Sequence, residues 1–407
     1  MYIKRNIEDI IVKNPTNSPI IMVCGQRQVG KSTMLMHLKE NDRKYVSFDN
    51  LAIKRLATED PYLFIETYGL PILIDEFQKA PNILSALKDI VDTKSYNGVD
   101  TNGLIWLTGS QKFNMMKNIS ESLAGRVSVF EMSGLSQREK SGYENELISF
   151  NVNDLKNRKF VYSDTLEIYK KIFEGGMPKP YVQNIDREKY YSDYISTYIE
   201  RDVRELSQVG KLNEFYNFVV FLAARTGQEL KYDEIAKQIG VSAPTVKTWI
   251  SILEASGIIF LLKPYSSSVS KRLVKTPKLY FMDTGLAAHL TRWPNAEVLM
   301  NGNMAGAILE TYVVTEIVKS YLNSGKSLNN LFYYRDFDQK EIDLLYVDSN
   351  SITPIEIKKN IDPYKPDKNF GLVNKFGLNV NPGLVFCMVK EITPINRNCF
   401  LIPISIL

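Results

Sequence analysis

The apolar positions change rhythm along the chain. Between residue 20 and about 135, short apolar runs (PIIMVCG, KYVSFD, LPILIDE, GLIWLTGS and RVSVFEMSG) alternate with segments of helical period. Apolar runs separated by helices predict a parallel sheet covered by helices, the α/β class. From about 150 to 230 the period becomes helical, with tyrosines among charges as in YYSDYISTYIERDVRELSQV. Residues 229 to 290 predict short helices and a hairpin, and 303 to 407 one long helix followed by alternating strands. The pattern divides the chain into an α/β unit at 1–145, a helical connector or lid at 146–225, a helix-and-hairpin unit at 226–295 and a second α/β unit at 296–407. A chain of 407 residues is also too long for one core. It carries no fixed-period repeat, which argues against solenoids and propellers.

Composition excludes classes without choosing among those left. The 44% hydrophobic and 24% charged content is that of a globular protein. A net charge of +4 neither demands nor forbids a nucleic-acid partner. Cys24, Cys387 and Cys399 match neither a disulfide framework nor a zinc site, and His37 and His289 stand alone. The start MYIKRNIEDI has no signal-peptide core, and no apolar run approaches the roughly 20 residues of a membrane helix. A cytoplasmic location with no membrane partner is the expectation.

The first chemical signal is Gly25-Gln26-Arg27-Gln28-Val29-Gly30-Lys31-Ser32, which fits G-x-x-x-x-G-K-[ST] between the strand PIIMVC and the helix STMLMHLKE. In such a loop, backbone amides from Gly25 to Thr33 and the helix dipole cradle phosphates. Lys31 then reaches the β- and γ-phosphates and Ser32 ligates Mg²⁺, making ATP and Mg²⁺ the expected cofactors. The run Leu73-Ile74-Asp75-Glu76 ends in two carboxylates. Asp75 is expected at the Mg²⁺ shell and Glu76 at the attacking water. In Leu107-Thr108-Gly109-Ser110-Gln111, Ser110 is the first choice for a polar group between water and γ-phosphate, and Gln111 the second.

These motifs, with SLAGRV after them, resemble the AAA-type ATPase core. The resemblance makes the polar end of the fourth strand a γ-phosphate sensor. It also makes Arg126 an arginine finger that reaches a neighbour's nucleotide, which implies a homo-oligomer. The alternative keeps Arg126 at its own surface or its own nucleotide.

Residues 230 to 249 predict a short helix ending at Gly240 and a second helix capped by Ser242, with Pro244 in its first turn. This resembles the winged-helix family, with wing strands at 257–262 and 275–281. The resemblance turns Ser242, Thr245, Lys247 and Thr248 toward a DNA groove and Lys271, Arg272, Lys275 and Lys278 toward phosphates. The alternative is a lid or subunit contact.

Residues 338–347 and 352–359 predict a hairpin that brings Asp343 to Glu356 around a divalent metal, with Lys358 positioning a hydrolytic water. The preceding helix offers Glu310, with Glu316 as fallback on a different face. Asp343, the E-x-K at 356–358 and Glu310 resemble the PD-(D/E)xK nuclease motif. The resemblance implies a restriction-endonuclease-like α/β domain holding one or two Mg²⁺ ions.

Further landmarks are EGGMP at 174–178, YIERDV at 198–203, YFMDTGL at 280–286 and GAILETYV at 306–313. With them, the chain resembles a prokaryotic family of AAA-type ATPases that carry a carboxyl-terminal domain of unknown function. The expectation is an Mg²⁺-dependent ATPase coupled to DNA binding or cleavage. Its rival is a regulatory ATP switch that binds protein or DNA partners without cutting. A kinase is disfavoured because Glu76 and the sensor strand suit hydrolysis.

Overall fold

The computed structural model describes residues 2–14, 16–109, 123–144, 147–183, 185–199, 212–267 and 276–407. Five strands, β1 (Ile20–Cys24), β2 (Lys44–Ser47), β3 (Ile72–Asp75), β4 (Ile105–Thr108) and β5 (Val127–Glu131), form a parallel sheet in the order β2-β3-β4-β1-β5. Successive side chains face opposite ways. Ile20, Met22, Ile74 and Leu107 therefore pack on one face, while Ile21, Val23, Leu73 and Trp106 join the core on the other.

After the helical segments, β6 (Gln228–Glu229), β7 (Ile259–Leu262) and β8 (Lys278–Phe281) make a small antiparallel sheet ordered β6-β8-β7. The helices Tyr232–Ile239 and Ala243–Ala255 pack on each other beside it. Gly240 closes the first helix in the left-handed region, and Ser242 caps the second by accepting from the Thr245 amide at 3.2 Å. Pro244 lies in the first turn, where a missing N–H breaks no bond.

The third sheet is mixed. It contains β9 (Leu331–Arg335), β10 (Glu341–Asp348), β11 (Ser351–Ile357), β12 (Asn379–Val380), β13 (Gly383–Cys387), β14 (Thr393–Asn396) and β15 (Cys399–Pro403). Their order is β14-β15-β13-β11-β10-β9, with β12 beside β11. The predicted hairpin is β10 and β11, paired antiparallel through Leu344 and Ile355. The helix Ala305–Asn323 is buried along most of its length. Glu316 on it accepts the Gln137 amide at 2.7 Å and Lys319 at 2.8 Å, so this residue faces the first sheet's unit.

Two sequence landmarks turn out to be a structural junction. Asp283 Oδ2 accepts the Gly176 amide at 2.7 Å, and its Oδ1 accepts from the Leu286 amide at 2.7 Å and the Tyr191 hydroxyl at 2.8 Å. Gly175 sits at φ +75°, and a Cβ there would lie 2.6 Å from Asp283 Oδ1 and from the Tyr191 oxygen. One continuous apolar cluster runs from Ile7 to Leu407, so the units share a core. Cys24, Cys387 and Cys399 are buried and form no disulfide. No helix among the described residues is long and apolar enough to cross a membrane.

Candidate functional site

The phosphate loop lies where β1 passes into the helix Lys31–Leu38. Gly25 has φ +129°, and a Cβ there would stand 2.1 Å from the Met132 carbonyl oxygen, which excludes any other residue. Lys31 is buried and donates to the carbonyls of Gly25 at 2.9 Å and Gln26 at 2.7 Å. Burial pushes its pKa down to about 8, against the opposing pull of Glu76 and Asp75. Its donors are held by loop carbonyls that a phosphate can replace.

Ser32 donates its hydroxyl to Asp75 Oδ1 at 2.8 Å, so the two expected Mg²⁺ groups meet. The same oxygen accepts the Thr108 hydroxyl, and Oδ2 accepts from Tyr45 at 3.1 Å. A hydroxyl beside a carboxylate at a loop of backbone amides is the donor set a phosphate-bound Mg²⁺ takes, and Ser32 and Asp75 fit that ion. Glu76 follows in the left-handed region at φ 56° and takes a hydrogen bond from Gln78. A non-glycine residue there is uncommon.

Thr108 and Tyr45 were not chosen from the sequence. The signal for Thr108 was register: Ile74 pairs with Leu107, which sets Asp75 beside Thr108. Ser110 and Gln111 lie outside the described residues. Arg126 is bound within its own chain, its guanidinium on Asp92 at 2.5 and 2.8 Å. Arg5, also unforeseen, is buried and pairs with Glu139 at 2.8 Å while donating to the Val29 carbonyl at 2.9 Å, tying the chain start to the loop.

Two later segments touch the loop. The Gln26 amide side chain donates to the Tyr194 hydroxyl at 3.1 Å. Gly257, at φ +70°, lies so close that a Cβ would stand 3.2 Å from the Gln26 amide nitrogen.

Of the residues expected to face DNA, Ser242, Lys247 and Thr248 are exposed and Thr245 is partly so. Ser242 is engaged as the helix cap, and Thr248 donates to the Pro244 carbonyl at 3.1 Å. Lys271, Arg272 and Lys275 lie outside the described residues. Lys278 is a correction. Instead of facing phosphates it is 3% exposed, donating to Glu310 at 2.9 Å and pairing with Glu341. It lies on the central strand of the small sheet, all four residues of which are buried.

The carboxyl-terminal acids come near one another as the hairpin predicts. Asp343 Oδ2 accepts the Ile357 amide at 2.9 Å, and Glu356 Oε1 accepts from Lys358 at 2.5 Å. Burial raises Glu356 to about 8 and Glu310 to about 7, and Asp343 adds to both shifts. The expected metal set is nonetheless not assembled. Glu310 is turned to Lys278 and to the Tyr280 hydroxyl at 2.7 Å. The described residues hold no group of three or more His, Cys, Asp or Glu side chains placed to bind one metal ion.

With this geometry in hand, comparison with known proteins adds the following. Residues 17–141, which carry the phosphate loop, Asp75 and Thr108, match the family model of the AAA domain. The amino-terminal unit is an AAA-type domain. Beyond the AAA domain, residues 165–297 and 305–407 match two domains of unknown function, DUF8612 and DUF4143. The uncharacterized protein Rv2008c of Mycobacterium tuberculosis is 26% identical over 351 residues, covering 85% of this chain and 71% of that one. The uncharacterized protein MJ1637 of Methanocaldococcus jannaschii is 24% identical over 349 residues, covering 76% and 70%. Among solved structures, the Walker-type ATPase PABY2304 of Pyrococcus abyssi aligns at a TM-score of 0.43 and 14% identity, over 71% of this chain and 96% of that one.

Proposed function

We propose that the chain binds and hydrolyses ATP with Mg²⁺ and uses the cycle to set the state of its later units. The observation that carries this reading is the junction of Ser32, Asp75 and Thr108 beside the buried Lys31. In this reading, Lys31 leaves the Gly25 and Gln26 carbonyls for the β- and γ-phosphates, and the amides from Gly25 to Thr33 cradle them. Ser32 and Asp75 hold Mg²⁺, which when bound neutralises charge building on the phosphoryl oxygens. Glu76 orients the attacking water, and Gln78 fixes its carboxylate. Arg126 would act on a neighbour's nucleotide only after release from Asp92, in a homo-oligomer. The test is phosphate release from ATP. Lys31→Ala is expected to abolish it, and undiminished release would overturn the reading.

For the later units, two readings start from the same ATPase. One couples hydrolysis to DNA processing through the helix-turn-helix segment and a nuclease-like carboxyl-terminal unit that uses Asp343, Glu356 and Lys358. The other is a switch that binds protein or DNA partners without cutting. The salt link of Lys278 to Glu310 favours the switch, because an acid committed to an internal ammonium is not free to ligate a metal. Incubation of labelled DNA with Mg²⁺ and ATP, beside Glu356→Ala, decides between them. Cleavage that vanishes in the variant would establish processing, and intact DNA alongside ATP hydrolysis is the expected result.

A further inference from the structure

A cleft of about 850 Å³ lies where the segment after the first sheet's unit crosses the third sheet, within the size range of small-ligand sites. Its walls come from residues 147–156, from Tyr321 at the end of the long helix with the turn at 326–330, and from β10, β11 and β15. No residue of the phosphate loop lines it, and neither do Glu310, Asp343 and Glu356. The walls are fixed to one another: the Ile148 amide donates to Ser320 Oγ at 3.3 Å, and Arg158 donates to the carbonyls of Leu147 at 2.8 Å and Ile406 at 3.1 Å. Four aromatic rings contribute to the lining. Phe150 lies 4.8 Å from Tyr346 and 6.5 Å from Tyr321, ring centre to ring centre, and the Lys156 ammonium stands 6.0 Å from the Phe400 ring. Phe150 and Tyr321 are buried, whereas Tyr346 and Phe400 are partly exposed and keep ring surface for a ligand.

The charges there are unbalanced. Lys156, Lys326 and Arg397 line the cleft against the single carboxylate of Asp348, an excess of two positive charges. Lys326 and Arg397 are exposed and take part in no ion pair among the described residues. Unanswered cations in a concave site draw anions. A phosphate monoester brings about two negative charges at pH 7 and oxygens that suit the arginine fork. Beside them, the side-chain amides of Asn153, Asn329 and Asn330 make no hydrogen bond among the described residues. An amide offers donor and acceptor together, the pattern that reads a base edge, and an aromatic ring is a platform on which a base stacks. We propose that this cleft binds a nucleoside monophosphate unit, its phosphate held by Lys326 and Arg397 and its base placed among Tyr346, Phe400 and the asparagines. A unit of that kind comes from a free nucleotide or from the phosphorylated end of a strand. The site shares no residue with the phosphate loop, and a monophosphate lacks the β- and γ-phosphates that Lys31 is expected to hold, so the proposal stands apart from the ATPase reading.

The experiment is equilibrium dialysis of the full chain, without Mg²⁺, against radiolabelled AMP, GMP, CMP and UMP. Wild type should bind at least one of them at a single site per chain with a Kd of about 1 mM or below. Lys326→Glu with Arg397→Glu, both at exposed positions, should weaken binding at least tenfold, and Phe400→Leu should weaken it as well. The matching nucleoside and inorganic phosphate, each added alone, should compete at least tenfold less well than the intact monophosphate. A 5′-phosphorylated trinucleotide that displaces the label at lower concentration than the free monophosphate would trace the unit to a strand end, and weaker displacement would trace it to free nucleotide. Saturable binding of none of the monophosphates, or binding equal in wild type and the charge-reversed double variant, would overturn the proposal. So would binding lost in Lys31→Ala and kept in that double variant, which would put the ligand at the phosphate loop. Phosphate release from ATP, measured on the same wild type, shows whether the ATPase reading fails separately.

Discussion

Asp283 accepts the backbone amide of Gly176 at 2.7 Å across more than a hundred residues of sequence, while its other oxygen caps the helix Thr284–Leu290. Three donors converge on one buried carboxylate. Asp283→Ala takes this acceptor from all three, leaving the Tyr191 hydroxyl only the Glu174 carbonyl at 3.3 Å, and should lower unfolding stability by about 3 kcal/mol or more. The denaturation midpoint measures it. A loss under about 1 kcal/mol would mean that the junction is held by packing alone.

Thr108 shares the Asp75 oxygen that Ser32 uses. Thr108→Val keeps the shape and deletes the hydroxyl, a hydrogen bond to a charged group worth about 1.5–3 kcal/mol. The expected result is a rise of about tenfold or more in the Mg²⁺ concentration needed for half-maximal turnover, with nucleotide binding retained. An unchanged Mg²⁺ dependence would remove Thr108 from the site.

Arg126 cannot serve two partners at once. If it completes a neighbour's site, Arg126→Ala should reduce turnover by about 10³-fold or more. Asp92→Asn, which loosens the grip, should not reduce it. The check is turnover measured across protein concentration. Equal turnover in Arg126→Ala and wild type would leave the residue a surface ion pair with Asp92, of the kind that contributes little.

Lys140 donates to the Gly175 carbonyl, and burial, helped by Lys319, pushes its pKa down to about 8. Glu316, Glu174 and Asp283 pull the other way. An unfolded lysine titrates near 10.4. From about pH 8 to 10 the unfolded chain therefore binds more protons than the native one, and this group makes stability rise with pH. Stability measured from pH 7 to 9.5 should show wild type gaining about 1–2 kcal/mol on Lys140→Met. Parallel curves would place the Lys140 charge outside the folding balance.

Much of the first unit was legible because its elements are local. A strand, a glycine turn and a helix start follow one another in sequence, and the loop at Gly25 to Ser32 lies where the pattern sets it. The β10–β11 hairpin was legible for the same reason. What the sequence hid is long-range pairing. Thr108 becomes relevant only once β3 and β4 are neighbours in a known register. Lys278 reads as one more basic residue near Lys271 and Arg272 until the helix carrying Glu310 packs against β8. The contact between the landmarks EGGMP and YFMDTGL could not be read from either alone, because each supplies half of it.

The shared apolar cluster from Ile7 to Leu407 has an experimental consequence. The family borders near residues 141, 165, 297 and 305 invite dissection into separately expressed pieces. Each cut would strip partners from the helix Ala305–Asn323 or from the outer face of the first sheet, leaving greasy surfaces bare to water. Fragments made that way would report on clumping more than on chemistry. Questions about this molecule are better put to the intact chain through single side-chain changes.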